Sequence, residues 1–247
     1  MPSDFHKVMA YIKTMQSRYH RALSAFYVYD TLVKLSAPNI SGKNKAKENI
    51  KVINQFKDFF LISKEAVRVY FFLELAKMFD NSDQALQINK IVNLTESRIA
   101  NLSAKDFEEY NKDRELVKEL VKTYKGINRS DLQKIKRILA ARKPIIKKLI
   151  IYRNKWLAHD DAKKPDLPAI TVIEIKKLFE ALSKIMNLLG SKINSETWMW
   201  SHVQEDSKNH TKLVIEYLRR FEPYRIKEIY TEAEAEMKKY NKMYPPK

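Results

Sequence analysis

Residues 152 to 160, "YRNKWLAHD", hold an arginine and a histidine six positions apart, Arg153 and His159. One is a permanent cation and the other a proton carrier near neutral pH. Together they suit a reaction in which charge develops on a phosphate and the substrate brings its own nucleophile, as RNA does with its 2′-hydroxyl. The spacing alone carries little weight. With 12 arginines and five histidines in 247 residues, about 0.7 pairs with four to six intervening residues are expected by chance.

Position on the helix says more. Ile145, Ile146, Leu149, Ile150, Trp156 and Leu157 recur at steps of three and four, and Arg153 falls on the same stripe. A charge there has to be paired or has to meet a phosphate, because an unpaired buried charge costs several kcal/mol. On an ideal helix His159 lies about 120° around from Arg153 and about 9 Å along the axis. The two reach one small group only if the helix ends near His159 or if two copies of it face each other, so a homodimer through this helix is expected. A helix C-terminus, with Asp160 and Asp161 beside it, favours the imidazolium and suits acid–base work. The competing arrangement is structural: Arg153 paired with Glu74 or Asp160, and His159 bonded to a backbone carbonyl. Glu74 lies on the stripe Val67, Phe71, Glu74, Met78. There it either orients Arg153 and tunes His159 or sits at the edge of a buried face.

The formal net charge is +17, and residues 131–159 hold nine Lys/Arg against one acidic residue. Clustered cations displace counterions from a phosphate backbone, which marks this segment as a candidate RNA surface. Arg137, Arg142, Lys143, Lys147 and Lys148 are its candidate backbone contacts, and a solvated face kept for solubility is the alternative. Trp198, Trp200 and His202 in "ETWMWSH" offer either a stacking surface for bases or core packing. The chain has no cysteine, no HExxH spacing and no Gly-rich phosphate loop. No metal site, no cofactor and no nucleoside triphosphate hydrolysis is therefore expected. Neither a signal-peptide pattern nor an apolar run of membrane-spanning length occurs, and a cytoplasmic protein without membrane partners is expected.

The elements that must position these residues read as helices. Only three glycines occur, and Lys, Glu, Leu, Ile and Ala dominate, so the expectation is an all-α antiparallel bundle in a single domain over 1–247. Helical periodicity runs from Asp4 to Lys34 and again from about Lys45 to Phe79. "DNSD" at 80–83 should stop that helix and cap a shorter one ending near Leu94. Ser103 should open a charged helix that ends at Gly126. Ser130 should cap the stretch that leads, kinked or broken at Pro144, into the Arg153 motif. "TVIEIKKLFEALSKIMNLLGSKI" forms the next helix. A helix across "KLVIEYLRR", a break near Pro223 and a last polar helix complete the pattern.

"YRNKWLAHDD" joins an arginine followed by asparagine, five residues before a histidine, an Ala-His pair and an acidic residue after it. In this it resembles the motif of the HEPN superfamily, above all its abortive-infection branch. The amphipathic helix before it, the helix after the next loop, and "FFLELAKMFDNSDQAL" in the earlier helix pair fit that fold. The resemblance implies a HEPN-type core over about 45–194, an added N-terminal helix and a C-terminal helical extension over 195–247. It also implies a metal-independent endoribonuclease, commonly homodimeric, in which the motifs of two protomers line one cleft. His159 would then move a proton at the ribose 2′-hydroxyl or the leaving 5′-oxygen. Arg153 would stabilise the phosphate, and Asn154 would support it, with Glu74 and Asp160 nearby. Such a protein would act as a toxin or anti-phage effector, with RNA as substrate and an antitoxin or other defence protein as partner. The alternative is a non-catalytic basic helical protein that binds nucleic acid or a partner protein within such a system.

Overall fold

Three helices open on reciprocal caps, in which a short polar side chain accepts from the third helical N–H and an acid there accepts from the cap's own N–H. The pairs are Ser103 with Asp106, Asn128 with Asp131, and Thr171 with Glu174. In the computed structural model, which describes residues 3–80, 82, 86–157 and 169–244, the helices are α1 (Asp4–Leu35), α2 (Pro38–Ser41), α3 (Lys43–Gln55), α4 (Lys57–Phe79), α5 (Ile88–Ser97), α6 (Ala104–Tyr110), α7 (Val117–Thr123), α8 (Arg129–Ala140), α9 (Lys143–Tyr152), α10 (Val172–Asn194) and α11 (Trp200–Met243). A short 3-10 turn spans Ile99–Asn101 and a π-helix spans Arg153–Leu157. No strand occurs among the described residues, and the all-α expectation holds.

Several boundaries differ from those expected. The run from 45 to 79 is two helices, because Phe56 leaves helical geometry (φ −117°, ψ 40°) and turns onto a core of Leu32, Leu35, Val52, Phe60 and Ile215. The helix begun at Ser103 stops at Tyr110. There the Asn111 amide donates to the Phe107 carbonyl and to Asn194 Oδ1, and Arg114 Nη1 donates to the Asn194 carbonyl. These bonds fix a non-helical turn before α7. Asn128, not Ser130, caps α8, since Asn128 is the residue with an acid at the reciprocating position. Gln87 caps α5 in place of the "DNSD" residues, and α5 runs on to Ser97. The motif stretch is two helices, with Pro144 in the first turn of α9, where its missing N–H costs nothing. The expected break at Pro223 does not occur. Pro223 is exposed, so the hydrogen bond it cannot make carries no burial cost.

The chain divides into two compact units, one of Met1–Phe26 and Ala66–Gln204, the other of Tyr27–Glu65 and Glu205–Lys247. In the first, the core is built from α1 (Phe5, Ile12, Met15), α4 (Phe71, Leu75, Met78), α5 (Ile88, Ile91), α8 (Leu132, Ile135) and α10 (Leu178, Leu182, Ile185), all fully buried. A ladder of rings crosses it: Tyr19 on Phe179 (5.9 Å), Phe179 on Phe26 (5.3 Å), Phe26 on Phe71 (5.3 Å), Phe71 on Phe72 (4.6 Å), Phe72 on Tyr152 (4.8 Å). Edge-on and offset ring pairs of this kind add to simple area burial. The ladder ends at the residue before Arg153. In the second unit the core is the cluster around Leu32, Val52 and Phe60 already named, with Val28, Ile53 and Leu218 packed at its margin. Among the described residues no helix is long and apolar enough to cross a membrane.

Candidate active site

Tyr152 anchors the end of α9. Its ring packs on Phe72, and its hydroxyl accepts from Arg68 Nη1 at 2.6 Å, so α9 is tied to α4 by stacking and by a charge-assisted hydrogen bond. Immediately after it the backbone widens into the π-helix Arg153–Leu157. Such turns are rare and cluster at functional positions. A π turn holds more residues per turn than an α-helix, so the ideal-helix projection used to place His159 no longer applies. His159 and Asp160 lie outside the described residues, as do the side chains of Trp156 and Leu157.

Arg153 is described in full. Its side chain is 19% exposed, in keeping with the apolar stripe on which it falls. Its Nε donates to Asn154 Oδ1 at 2.9 Å, and its Nη1 donates to Asp80 Oδ2 at the end of α4. The other oxygen of Asp80 accepts from the backbone N–H of Ser82 at 3.3 Å, so the carboxylate is itself oriented. The third guanidinium nitrogen, Nη2, has no hydrogen bond among the described residues. Arg153 and Asn154 are thus joined by a hydrogen bond between their side chains. Glu74 is not part of this group: it accepts from Lys77 at 2.8 Å, one turn along α4. The acid that pairs with Arg153 is Asp80, because α4 runs one further turn before its carboxylate reaches the guanidinium. Nothing local in the sequence marks it, since the pair spans 73 positions.

The basic residues separate into two sets. Arg137, Lys143 and Lys147 are exposed on α8 and α9. Lys148 instead donates to Glu174 at 2.6 Å, joining α9 to the N-terminus of α10. Glu174 also closes the α10 cap, and the Thr-x-x-Glu spacing at 171–174 is the sequence signal for that role. The Nε of Arg142 is buried without a partner among the described residues. Trp200 is core, its ring 4.6 Å from Tyr19, and Trp198 stacks on it at 5.6 Å with part of its face exposed. His202 is exposed. No group of three or more His, Cys, Asp or Glu side chains suited to a metal ion occurs among the described residues.

The arginine-asparagine pair that opens the HEPN-like motif thus stands at the start of a π-helical turn, six positions before His159 in the sequence. The family model for AbiU2 proteins of the HEPN superfamily (HEPN_AbiU2) matches residues 10–214. The chain belongs to this HEPN family. The matched region takes in most of α1 and the first turns of α11, beyond the 45–194 over which the motif resemblance extends. No curated protein matches this HEPN chain, and neither does any solved structure.

Proposed function

We propose that this HEPN protein is a metal-independent endoribonuclease of the abortive-infection or toxin type, cytoplasmic, acting as a homodimer through the helix that carries Arg153 and His159. The observation that carries the reading is the state of the Arg153 guanidinium. Two of its nitrogens are held by Asn154 and Asp80, which orients the fork, and Nη2, without a hydrogen bond among the described residues, would meet a phosphate oxygen. In the reaction the ribose 2′-oxygen bonds to phosphorus and the 5′-oxygen leaves. His159 either accepts the 2′-hydroxyl proton or protonates the departing 5′-oxygen, and its counterpart in the second protomer supplies the other transfer. Exposed Arg137, Lys143 and Lys147 bind the flanking backbone. An antitoxin or another defence protein would hold the enzyme silent.

Attack by the 2′-hydroxyl leaves a 2′,3′-cyclic phosphate on the upstream fragment and a 5′-hydroxyl on the downstream one. End-group analysis of RNA cut by the purified protein tests this. Fragments with 5′-phosphates and free 3′-hydroxyls would contradict it, because they require attack by water.

A second reading is favoured by the Asp80 contact itself. The ion pair neutralises Arg153, so the same geometry serves a non-catalytic protein that binds RNA or a partner through its basic face. Binding without cleavage, unchanged by Arg153→Ala, would support it.

A further inference from the structure

A cleft of about 580 Å³ lies wholly within the second unit, lined by the end of α1, by α2 and by one face each of α3 and α11. Three polar side chains form its floor. Asp30, Thr31 and Asn49 line the cleft and are exposed by only 5%, 4% and 3%. Lys34 donates to one oxygen of Asp30, and the Asn49 amide donates to the Leu35 carbonyl at the end of α1. The second Asp30 oxygen, Asn49 Oδ1 and the Thr31 hydroxyl have no hydrogen bond among the described residues. A helical threonine commonly donates to the carbonyl four residues back, as Thr14, Thr211 and Thr231 do. Thr31 does not. None of the three oxygens is sealed from solvent, so each opens onto the cleft. Polar groups at this depth ordinarily have partners, and these three face the cleft for theirs.

The mouth is basic, and the lining as a whole carries five cations against two carboxylates. Lys45 and Lys212 are exposed and make no ion pair or hydrogen bond among the described residues. Arg219 meets Glu48 at 3.2 Å in an exposed pair, an association weak enough to be exchanged. Lys208 lies over the Tyr27 ring at 4.7 Å, and Glu216 is held by Arg220. Leu35, Ile40 and Ile215 supply an apolar wall. A simple phosphate would use the cations and leave the floor unsatisfied. A ribonucleotide engages all three surfaces: its phosphates meet the cations, its ribose hydroxyls donate to the floor oxygens, and its base covers the apolar wall. We propose that this cleft binds a free ribonucleotide, with Lys45, Lys212 and Arg219 on the phosphates and Asp30, Thr31 and Asn49 on the ribose. Its volume falls within the range of small-molecule sites, about 300–1,000 Å³. The assignment is to binding and not to hydrolysis, since the chain has no Gly-rich phosphate loop. It is independent of the ribonuclease reading and shares no residue with the Arg153 motif.

Isothermal titration of the full chain in chelator, with each of the four ribonucleoside triphosphates, tests the assignment. At least one should saturate a single site. Tripolyphosphate, and the 2′,3′-dideoxy form of the tightest binder, should bind at least about tenfold more weakly, about 1.4 kcal/mol. Lys45→Glu combined with Lys212→Glu should weaken the nucleotide by at least the same factor, with circular dichroism unchanged because both side chains are exposed. Thr31→Val removes no hydrogen bond from the fold and should weaken the nucleotide while leaving tripolyphosphate binding as it was. Saturation by none of the four would overturn the proposal, and so would equal affinity for tripolyphosphate or for the dideoxy form. An unchanged affinity in the double variant would place the nucleotide elsewhere on the chain and would equally contradict it. Binding of a 2′-O-methyl RNA oligomer where no mononucleotide binds would give the cleft to an RNA surface instead.

Discussion

Asp80 at the end of α4 accepts a hydrogen bond from Arg153 at the start of the π-helix, joining two points 73 residues apart in sequence. Both side chains are mostly buried, at 23% and 19% exposure, so each is the other's condition for being there. The contact fixes the direction of the guanidinium.

Asp80→Asn keeps the shape and removes the charge. It is expected to lower stability by about 1–2 kcal/mol, between the values for exposed and for buried pairs. Under the proposed mechanism it also lowers the RNA cleavage rate more than RNA affinity, because Arg153 loses its orientation and not its charge. Thermal unfolding together with single-turnover cleavage and binding measures both. A faster rate in the variant would mean that Asp80 holds Arg153 away from the phosphate.

Gly190→Ala sets two effects against each other. Inside a helix, alanine is favoured over glycine by about 1 kcal/mol. Here a Cβ at residue 190 would lie 2.7 Å from the backbone carbonyl oxygen of Glu196. That oxygen follows the left-handed Ser195 (φ 53°) and the bond from the Glu196 N–H to the Gly190 carbonyl at 3.1 Å. The clash is with backbone, which cannot swing aside, so the variant should be destabilised by about 1–3 kcal/mol. Denaturant unfolding decides the sign, and a stabilised variant would contradict the close approach.

The link between α9 and α10 should titrate. A hydrogen bond from Lys148, and then one from the Thr171 backbone N–H, hold the Glu174 carboxyl below the ordinary carboxylate range. A folded-state value below the unfolded one adds stability above the unfolded pKa, about 4.3 for Glu, and that stability is lost as pH falls through the lower folded value. Glu174→Gln should therefore melt earlier than the parent at neutral pH, and the two should converge below about pH 4. A gap that persists unchanged into that range would show that the charge contributes nothing.

Much of this was legible in the residues. The stripes of α1 and α10 follow their apolar spacing almost to the residue, and Ser103 caps α6 as its Asp106 neighbour requires. The breaks were harder. Phe56 interrupts a helical pattern without glycine or proline, for the sake of a ring packed into the second unit's core. Asn111 interrupts another because its partner, Asn194, is 83 residues away. The Arg153–Asn154 pair could be read locally, whereas Asp80 could not: periodicity reports which face is buried and is silent on which distant residue shares it. Lys148 resembles its basic neighbours in sequence, and only the fold sets Glu174 beside it.

The exposed and the paired cations should then differ in RNA binding. Lys143→Glu and Lys147→Glu should weaken affinity and lower the salt dependence, by about one unit of slope in log K against log salt for each phosphate no longer neutralised. Lys148→Glu should act mainly through stability, since its ammonium already belongs to Glu174. Filter binding across a salt series, beside melting curves, separates the two. Equal salt slopes for all three variants and the parent would remove this face from the RNA surface.

The most direct measurement is RNA cleavage in excess chelator by the parent, His159→Ala and Arg153→Ala, with RNA affinity measured in parallel. The account predicts cleavage by the parent and a loss of about a hundredfold or more in each variant, with His159→Ala still binding RNA. Equal cleavage by all three, or no cleavage by any while all bind with the same affinity, would contradict it.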